Sequence, residues 1–296
     1  MARKLISFDW AIKKILRSKA NFGILEGFLS ELLFTDITIL EVLESEGNQE
    51  FKDNKTNRVD IKVIDSHQQI IIVEIQYSRE LDYLQRILFA TSKTINEHML
   101  EGDAYANVSK VISINILYFD FGKGDDYIYH GKTKFIGLHN HHELQLSDEQ
   151  KRLYTVNTVS DIYPEYYLIE LRNFNDIAKN SLDEWIYFLK NEKISDNFHA
   201  KGLKQAQQTL DVLKMDEKER FQYEQHQKQL HHEASLYQST YVLGKMEGME
   251  KGIEIGEERG MAKNNLSTAK RLKEVGVAIE IIMLATDLSI NQIDEL

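Results

Sequence analysis

The sequence predicts an α/β fold: a sheet-bearing core followed by a helical C-terminal extension. Helical and strand periodicities alternate over residues 9–120 in the order helix–strand–strand–strand–helix–strand, and from Ser181 onward the pattern turns helical. The 296 residues, 42% hydrophobic and 10% aromatic, suffice for one sizeable core plus an appendage and exclude wholesale disorder.

From Asp9 to Leu33, apolar residues such as Trp10, Ile12, Ile15, Leu16, Ile24, Leu25, Phe28 and Leu29 recur at helical spacing. Ile37–Leu43 reads as a strand, and the polar run Glu44–Asn57 as a turn or flexible loop. Val59–Val63 alternates cleanly. After a turn at Asp65–Gln68, the apolar run Gln69–Tyr77 suits a strand buried on both faces. Glu80–Leu100 is an amphipathic helix and Lys110–Asp120 another buried strand; Thr133–Leu146 and Tyr166–Phe174 read as further strands. Ser181–Lys190 opens the helical half, and residues 200–240 form a helix with a large solvated face.

Gly244, Gly248, Gly252, Gly256 and Gly260 then repeat every fourth residue, which keeps them near one face of a helix. Each costs roughly 1 kcal/mol of helix propensity relative to alanine, a loss that close packing of a second helix or chain would offset. The alternative is a flexible connector; Lys245, Glu247, Glu250 and Lys251 make the segment too polar for a membrane. The tail reads as three helical pieces: Leu266–Val275 stopped by Gly276, Val277–Thr286, and Asn291–Leu296 capped by Ser289. A helix-turn-helix is one reading of that tail and a small interaction or capping module another, since the last helix carries Asp294 and Glu295 but no basic residue.

Composition excludes several functions. Without cysteine there is no disulfide scaffold, thiolate zinc site or cysteine nucleophile. No apolar run is long enough to span a membrane, and Asp9, Lys13 and Lys14 interrupt any signal-peptide core, so a reducing, cytoplasmic location is expected. The net charge of −11 argues against a general polyanion-coating protein, although residues 1–19 carry Arg3, Lys4, Lys13, Lys14, Arg17 and Lys19 against Asp9 alone.

The informative chemistry lies on two adjacent strands. Val59, Ile61 and Val63 share one face, which puts Asp60 and Lys62 on the other; Glu74 and Gln76 share a face of the most apolar strand. A glutamate in such a strand is expensive to bury unless paired or bound to a cation. The hairpin-length loop makes the strands antiparallel neighbours, with Asp60 and Glu74 roughly symmetric about it. Two hard oxygen donors describe a magnesium site better than a zinc one. The bland alternative is a surface-facing Asp60, with Glu74 satisfied by Lys62 or Arg58.

Other patterns are decoys. His139-Asn140-His141 spells HNH within three consecutive positions and, with His142, reads as a polar turn. His226, His231 and His232 lie in a polar helical stretch with no hydrophobic shell to preorganise ligands. Gly122-Lys123-Gly124 lacks the spacing of a phosphate loop.

Asp60…Glu74-Ile75-Gln76 resembles the D…ExK active site of the PD-(D/E)XK nuclease superfamily, in its ExQ form. More narrowly, the chain resembles the recombination-promoting nuclease/transposase (Rpn) family. Asp9–Leu16 matches its D-x-x-F-K-x-(L/I)-(F/L) opening, with Ile12 for the aromatic, and Val59–Val63 with Val73–Gln76 matches its V-D-I…V-E-I-Q core. Further matches are the helix around Arg86 and Phe89, Gly102–Tyr105, Val111–Ile116 and the glycine-every-fourth helix.

The resemblance implies a restriction-endonuclease-like core, a central mixed sheet flanked by helices, and metal-dependent hydrolysis of DNA phosphodiesters. Residues 1–195 would form the nuclease-like domain with added strands, 196–243 a helical connector, and 244–296 the glycine-repeat helix and small tail. Asp60, Glu74 and the main-chain carbonyl of Ile75 would hold Mg²⁺, with Mn²⁺ as a substitute. Gln76 stands where the superfamily usually has lysine, and an amide supplies no positive charge. Lys62, on the same face as Asp60, is the candidate to supply it. Arg86, Lys13 and Lys14 would contact DNA, and Asp9 would support the site or merely cap its helix. The glycine helix would mediate homo-oligomer formation. The alternative is a catalytically weak DNA-binding or self-assembling protein on a nuclease fold.

Overall fold

Six strands form one mixed sheet in the order β1-β2-β3-β4-β6-β5 in the computed structural model, which describes residues 5–14, 16–43 and 60–296. The loop expected over Glu44–Asn57, together with Val59, Arg58, Ile15 and the Arg3-Lys4 pair, lies outside the described residues. Helices α1 (Phe8–Lys14) and α2 (Phe22–Leu33) precede β1 (Ile39–Leu43), β2 (Ile61–Asp65) and β3 (Ile70–Gln76). Helix α3 (Tyr83–Glu97) leads to β4 (Val111–Leu117) and β5 (Ile128–Gly131); α4 (Asp148–Tyr154), β6 (Glu165–Glu170), α5 (Ser181–Asn191) and α6 (Leu203–Thr209) follow. The 58-residue α7 (Glu217–Glu274), α8 (Ile279–Thr286) and α9 (Ile290–Asp294) complete the chain.

β1, β2 and β3 pair antiparallel, β4 adds to β3 and β6 to β4 in parallel, and β5 closes the sheet antiparallel to β6. The β2–β3 turn is held by Asp65, whose Oδ1 accepts the N–H groups of His67 (2.9 Å) and Gln69 (2.8 Å) while Gln68 takes a left-handed φ of 61°. The hairpin fixes the register Ile61 opposite Val73 and Lys62 opposite Ile72. Alternation then divides β3 between two cores. Ile71, Val73 and Ile75 face the main core with Ile12, Phe28 and Trp185 of α1, α2 and α5. Ile70 and Ile72 pack against Ala90 of α3 on the other face.

Several elements differ from their predicted extents. The helical run from Asp9 to Leu33 is two helices, broken where Ser18 leaves helical geometry (φ −81°, ψ 133°). Thr133–Leu146 is not a strand. The sheet's edge is Ile128–Gly131, and only a bridge between Ile136 and Glu143 survives in that segment. There Gly137 and His142 close a tight turn, with His141 at a left-handed φ of 58°, so the histidine cluster is the polar turn expected of it. Tyr166–Phe174 ends as strand at Glu170 and continues as a 3-10 turn. Leu266–Val275 is the end of α7 rather than a separate helix, and Gly276 (φ 79°) follows it. Ser289 caps α9 as expected, its hydroxyl accepting the Gln292 N–H.

The chain divides into two compact units, Met1–Leu230 and His231–Leu296. The second has its own small core of Ala269, Ile282 and Ile293. The boundary expected at 243/244 falls inside α7. Among the described residues, no helix is long and apolar enough to cross a membrane.

Candidate active site

Glu74 continues the row of β3 residues that faces α3, where Arg86 meets it: Arg86 Nη2 lies 2.5 Å from Glu74 Oε1, and Nη1 donates to Glu80 Oε1 at 2.7 Å. Helical spacing along α3 turns Tyr83, Ile87, Ala90 and Thr94 into the protein, so the arginine one residue before Ile87 rises beside the buried carboxylate. Burial pushes the Glu74 carboxyl up to about 7; Arg86 opposes the shift, while Asp60 and Glu80 add to it. Beneath the pair, Tyr83 donates to Asn115 Oδ1 (3.1 Å), and the Asn115 amide donates to Ser113 Oγ (3.0 Å). This buried polar row satisfies side chains that the parallel β3–β4 register places beside Glu74.

Asp60 sits immediately before β2, one position beyond the Ile61–Val73 pair and hence across from Glu74. Its Oδ2 accepts the Ile75 main-chain N–H at 2.6 Å, tying it to the residue that follows Glu74. Arg17 donates to the Asp60 carbonyl at 2.8 Å, and Lys13 Nζ stands 3.4 Å from Oδ1. Burial, with the Asp9 charge adding, raises the Asp60 carboxyl above its usual range although Lys13 and the Ile75 N–H oppose this.

The two neighbouring carboxylates are both disfavoured as anions, chiefly by burial, with Asp60 and Glu80 adding at Glu74 and Asp9 adding at Asp60. Their hard oxygen donors fit a divalent cation of the magnesium class. Among the described residues, no group of three or more His, Asp or Glu side chains is gathered to cage a metal. Such an ion would therefore rely on the two carboxylates together with main-chain, water or phosphate oxygens.

The other sequence candidates separate. Gln76 is turned to its own loop, its amide donating to Glu80 Oε1 (2.8 Å) and to the Ser78 carbonyl (3.2 Å). Lys62 shares the expected face but runs to the far end of α3, where Nζ pairs with Glu97 at 3.0 Å. Lys14 lies over the Trp10 ring, 5.8 Å from its centroid. Asp9 does not cap α1. It lies inside the helix, fully buried, with Lys13 Nζ 2.6 Å from one oxygen and His226 Nε2 2.6 Å from the other.

His226 corrects the reading of it as a side chain without a hydrophobic shell: it lies in the first unit with its ring 5.2 Å from Trp10. Sequence reasoning missed it, and it missed Arg17 as a partner of Asp60. For Arg17 the signal was its place in the basic start of the chain. For His226 it was the spacing from Tyr223, which also packs on Trp10 (5.8 Å) and accepts the Ser7 N–H.

No curated protein and no solved structure matches the chain. The sequence model of the PD-(D/E)XK nuclease family transposases matches residues 6–240, a span that holds the whole sheet and every residue of this site. Nucleases of this kind generally use divalent metals and take DNA as substrate. With four-fifths of its length matched, the chain belongs to the PD-(D/E)XK nuclease family of transposases.

Proposed function

We propose that this protein is a magnesium-dependent DNA endonuclease of the cytoplasm, acting in recombination- or transposition-related chemistry. The observation that carries the reading is the join between Asp60 and the Glu74-Ile75-Gln76 strand. Asp60 Oδ2 takes the Ile75 N–H at 2.6 Å, which sets the half-buried Asp60 carboxylate beside the strand that carries the buried Glu74. Asp60, Glu74 and the main-chain carbonyl of Ile75 would hold the ion. A bound Mg²⁺, or Mn²⁺ in its place, supplies Lewis acidity that withdraws charge from the scissile phosphate and the leaving oxygen.

The remaining work falls to the chain. Arg86 holds Glu74 in place through a charge-assisted hydrogen bond and lies where a DNA phosphate would meet it. Gln76 can orient a water or a phosphate oxygen by hydrogen bonding, once its amide leaves Glu80. In the reaction water adds to phosphorus, one P–O ester bond breaks, and the water's proton passes to the departing alkoxide. The net charge of −11 confines DNA contact to this locality, so the fall of affinity with salt should be shallow, its slope set by a small number of phosphate contacts.

The test is cleavage of supercoiled plasmid by the purified full chain in Mg²⁺ or Mn²⁺. Cutting or nicking that Asp60→Ala and Glu74→Ala abolish supports the reading. No cleavage, with both variants binding DNA like the parent, refutes it.

One observation favours a second reading, a catalytically weak DNA-binding protein on the same fold: the Gln76 amide, which replaces the superfamily's usual lysine, is occupied by Glu80 and Ser78. A self-associating role for the glycine helix is compatible with either.

A further inference from the structure

A phosphodiester brought to this site would add negative charge beside Asp9, Asp60 and Glu74. The cations nearby are mostly committed. Arg86 forks between Glu74 and Glu80, Arg17 is turned to the Asp60 carbonyl, Lys62 is paired with Glu97, and Gln76 has no charge to give. Lys13 differs. Its ammonium bridges the buried Asp9 (2.6 Å) and the metal-ligand candidate Asp60 (3.4 Å), and its side chain keeps 37% of its surface exposed. An ammonium has three N–H donors, and the two carboxylates use two of them.

The position is also built. Lys13 and Asp9 are one turn apart on α1, and Asp9 is locked from behind by His226 of α7 at 2.6 Å. Trp10 is flanked by Tyr223 and His226, while Gln227 donates to Ser7 Oγ at 3.1 Å, so the start of α7 clamps α1 at several points.

We infer that Lys13 is the catalytic ammonium of this site, contacting the scissile phosphate in the role a lysine at position 76 would otherwise fill, and that Asp9 and His226 are positioning residues that fix it there. The inference rests on the nuclease reading above and goes beyond a role for Lys13 as a DNA anchor. A catalytic ammonium acts on turnover. An anchor acts on affinity.

The experiment uses the full chain and measures three quantities: the cleavage rate at saturating DNA in Mg²⁺, the Kd for a fluorescent duplex without divalent metal, and Mn²⁺ affinity by titration. Lys13→Ala should lower the saturated rate about 100-fold, the usual loss for one preorganised charge donor, with Kd unchanged. Lys13→Arg should recover part of it, and Lys13→Gln, which is one methylene shorter and keeps N–H donors without the charge, should not. His226→Gln should lower the rate about tenfold through misplacement, again at unchanged Kd. Thermal unfolding confirms that each variant is folded, and Lys13→Gln carries the test where Lys13→Ala is not.

Parental cleavage by Lys13→Ala or Lys13→Gln overturns the inference. So does a weakened Kd with the saturated rate kept, which would make Lys13 an anchor. Tighter Mn²⁺ binding with the rate kept also overturns it, making the ammonium only a stand-in for the cation. An inert parent removes the nuclease reading and this one together, whereas an active parent with an active Lys13 variant removes this one alone.

Discussion

His226 Nε2 and Asp9 Oδ2 lie 2.6 Å apart although 217 positions separate them in sequence. The contact ties the start of the long helix α7 to the first helix of the nuclease fold. Loop-closure entropy makes so distant a contact costly to form, so its partners need burial to hold it. Trp10, Tyr223 and the fully buried Asp9 provide that burial. The start of α7 is therefore part of the nuclease fold.

Removing the histidine should be felt as lost stability. Burial alone would raise the Asp9 carboxyl, but the His226 hydrogen bond and the Lys13 ammonium outweigh it and leave the group below its usual range. A carboxylate whose pKa is lower in the fold contributes stability that is complete above its unfolded value, about 4, and is lost as pH falls through the folded value. His226→Ala should cost about 1–3 kcal/mol at neutral pH, the range for leaving a buried polar group short of a partner. Urea unfolding at pH 7 and at pH 3 checks this, and the gap between parent and Asp9→Asn should shrink toward acid.

Glu74 carries the opposite sign. Burial, with Asp60 and Glu80 adding, places its folded value at about 7 from a reference of 4.5. The fold therefore disfavours the anion, and in metal-free protein this group costs stability that grows from about pH 4.5 and levels off above pH 7. Glu74→Gln, whose amide oxygen can still accept from Arg86, should stabilise the metal-free protein by up to about 3 kcal/mol at pH 8 and little at pH 4. Metal binding needs the anion, so Mn²⁺ affinity of the parent should rise as pH climbs through 7. Thermal unfolding in chelator and calorimetric Mn²⁺ titration at pH 6 and 8 provide the measurements.

At the start of β6, Glu165 is the stabilising counterpart. Burial would raise it, yet Lys110 (2.6 Å), Lys132 (2.7 Å) and His130 (2.7 Å) converge on it and hold it at about 2. The stability it contributes is present above 4.5 and lost as pH falls toward 2. Glu165→Gln should cost about 3 kcal/mol at pH 7, since it leaves Lys110 and Lys132 crowded without their counter-charge. Chemical denaturation of parent and variant at pH 7 and pH 2.5 checks it, with the difference reduced to roughly a quarter at the lower pH.

The parts of this site that sequence made legible are those set by short-range geometry. Strand alternation and a four-residue turn suffice to place Asp60 across from Glu74, because register in a hairpin follows from the turn. Lys62 shows the limit. Alternation gives its face, but which end of α3 crosses above it depends on helix docking, and Glu97 at the far end takes the ammonium. His226 was illegible for a similar reason: its shell comes from Trp10, and no local pattern couples residues so far apart. Thr133–Leu146 misled because its alternating residues suit a strand, whereas the turn around Gly137 folds the segment on itself.

The glycine repeat offers a last expectation, in which stability and assembly should move in opposite directions. Among the described residues, a methyl added at Gly244, Gly248, Gly252, Gly256 or Gly260 would meet nothing within 4 Å. Alanine there should stabilise α7 by roughly 0.5–1 kcal/mol per site, because glycine loses the most backbone entropy on folding. If the smooth stripe is where a second copy packs, the same methyls hold the two backbones apart and weaken association. Gly248→Ala/Gly252→Ala/Gly256→Ala should therefore raise helicity and Tm while shifting the protein toward monomer. Circular dichroism with sedimentation equilibrium over a range of concentrations reads both. A variant that gains helix and associates as tightly as the parent would show that the stripe is not the interface.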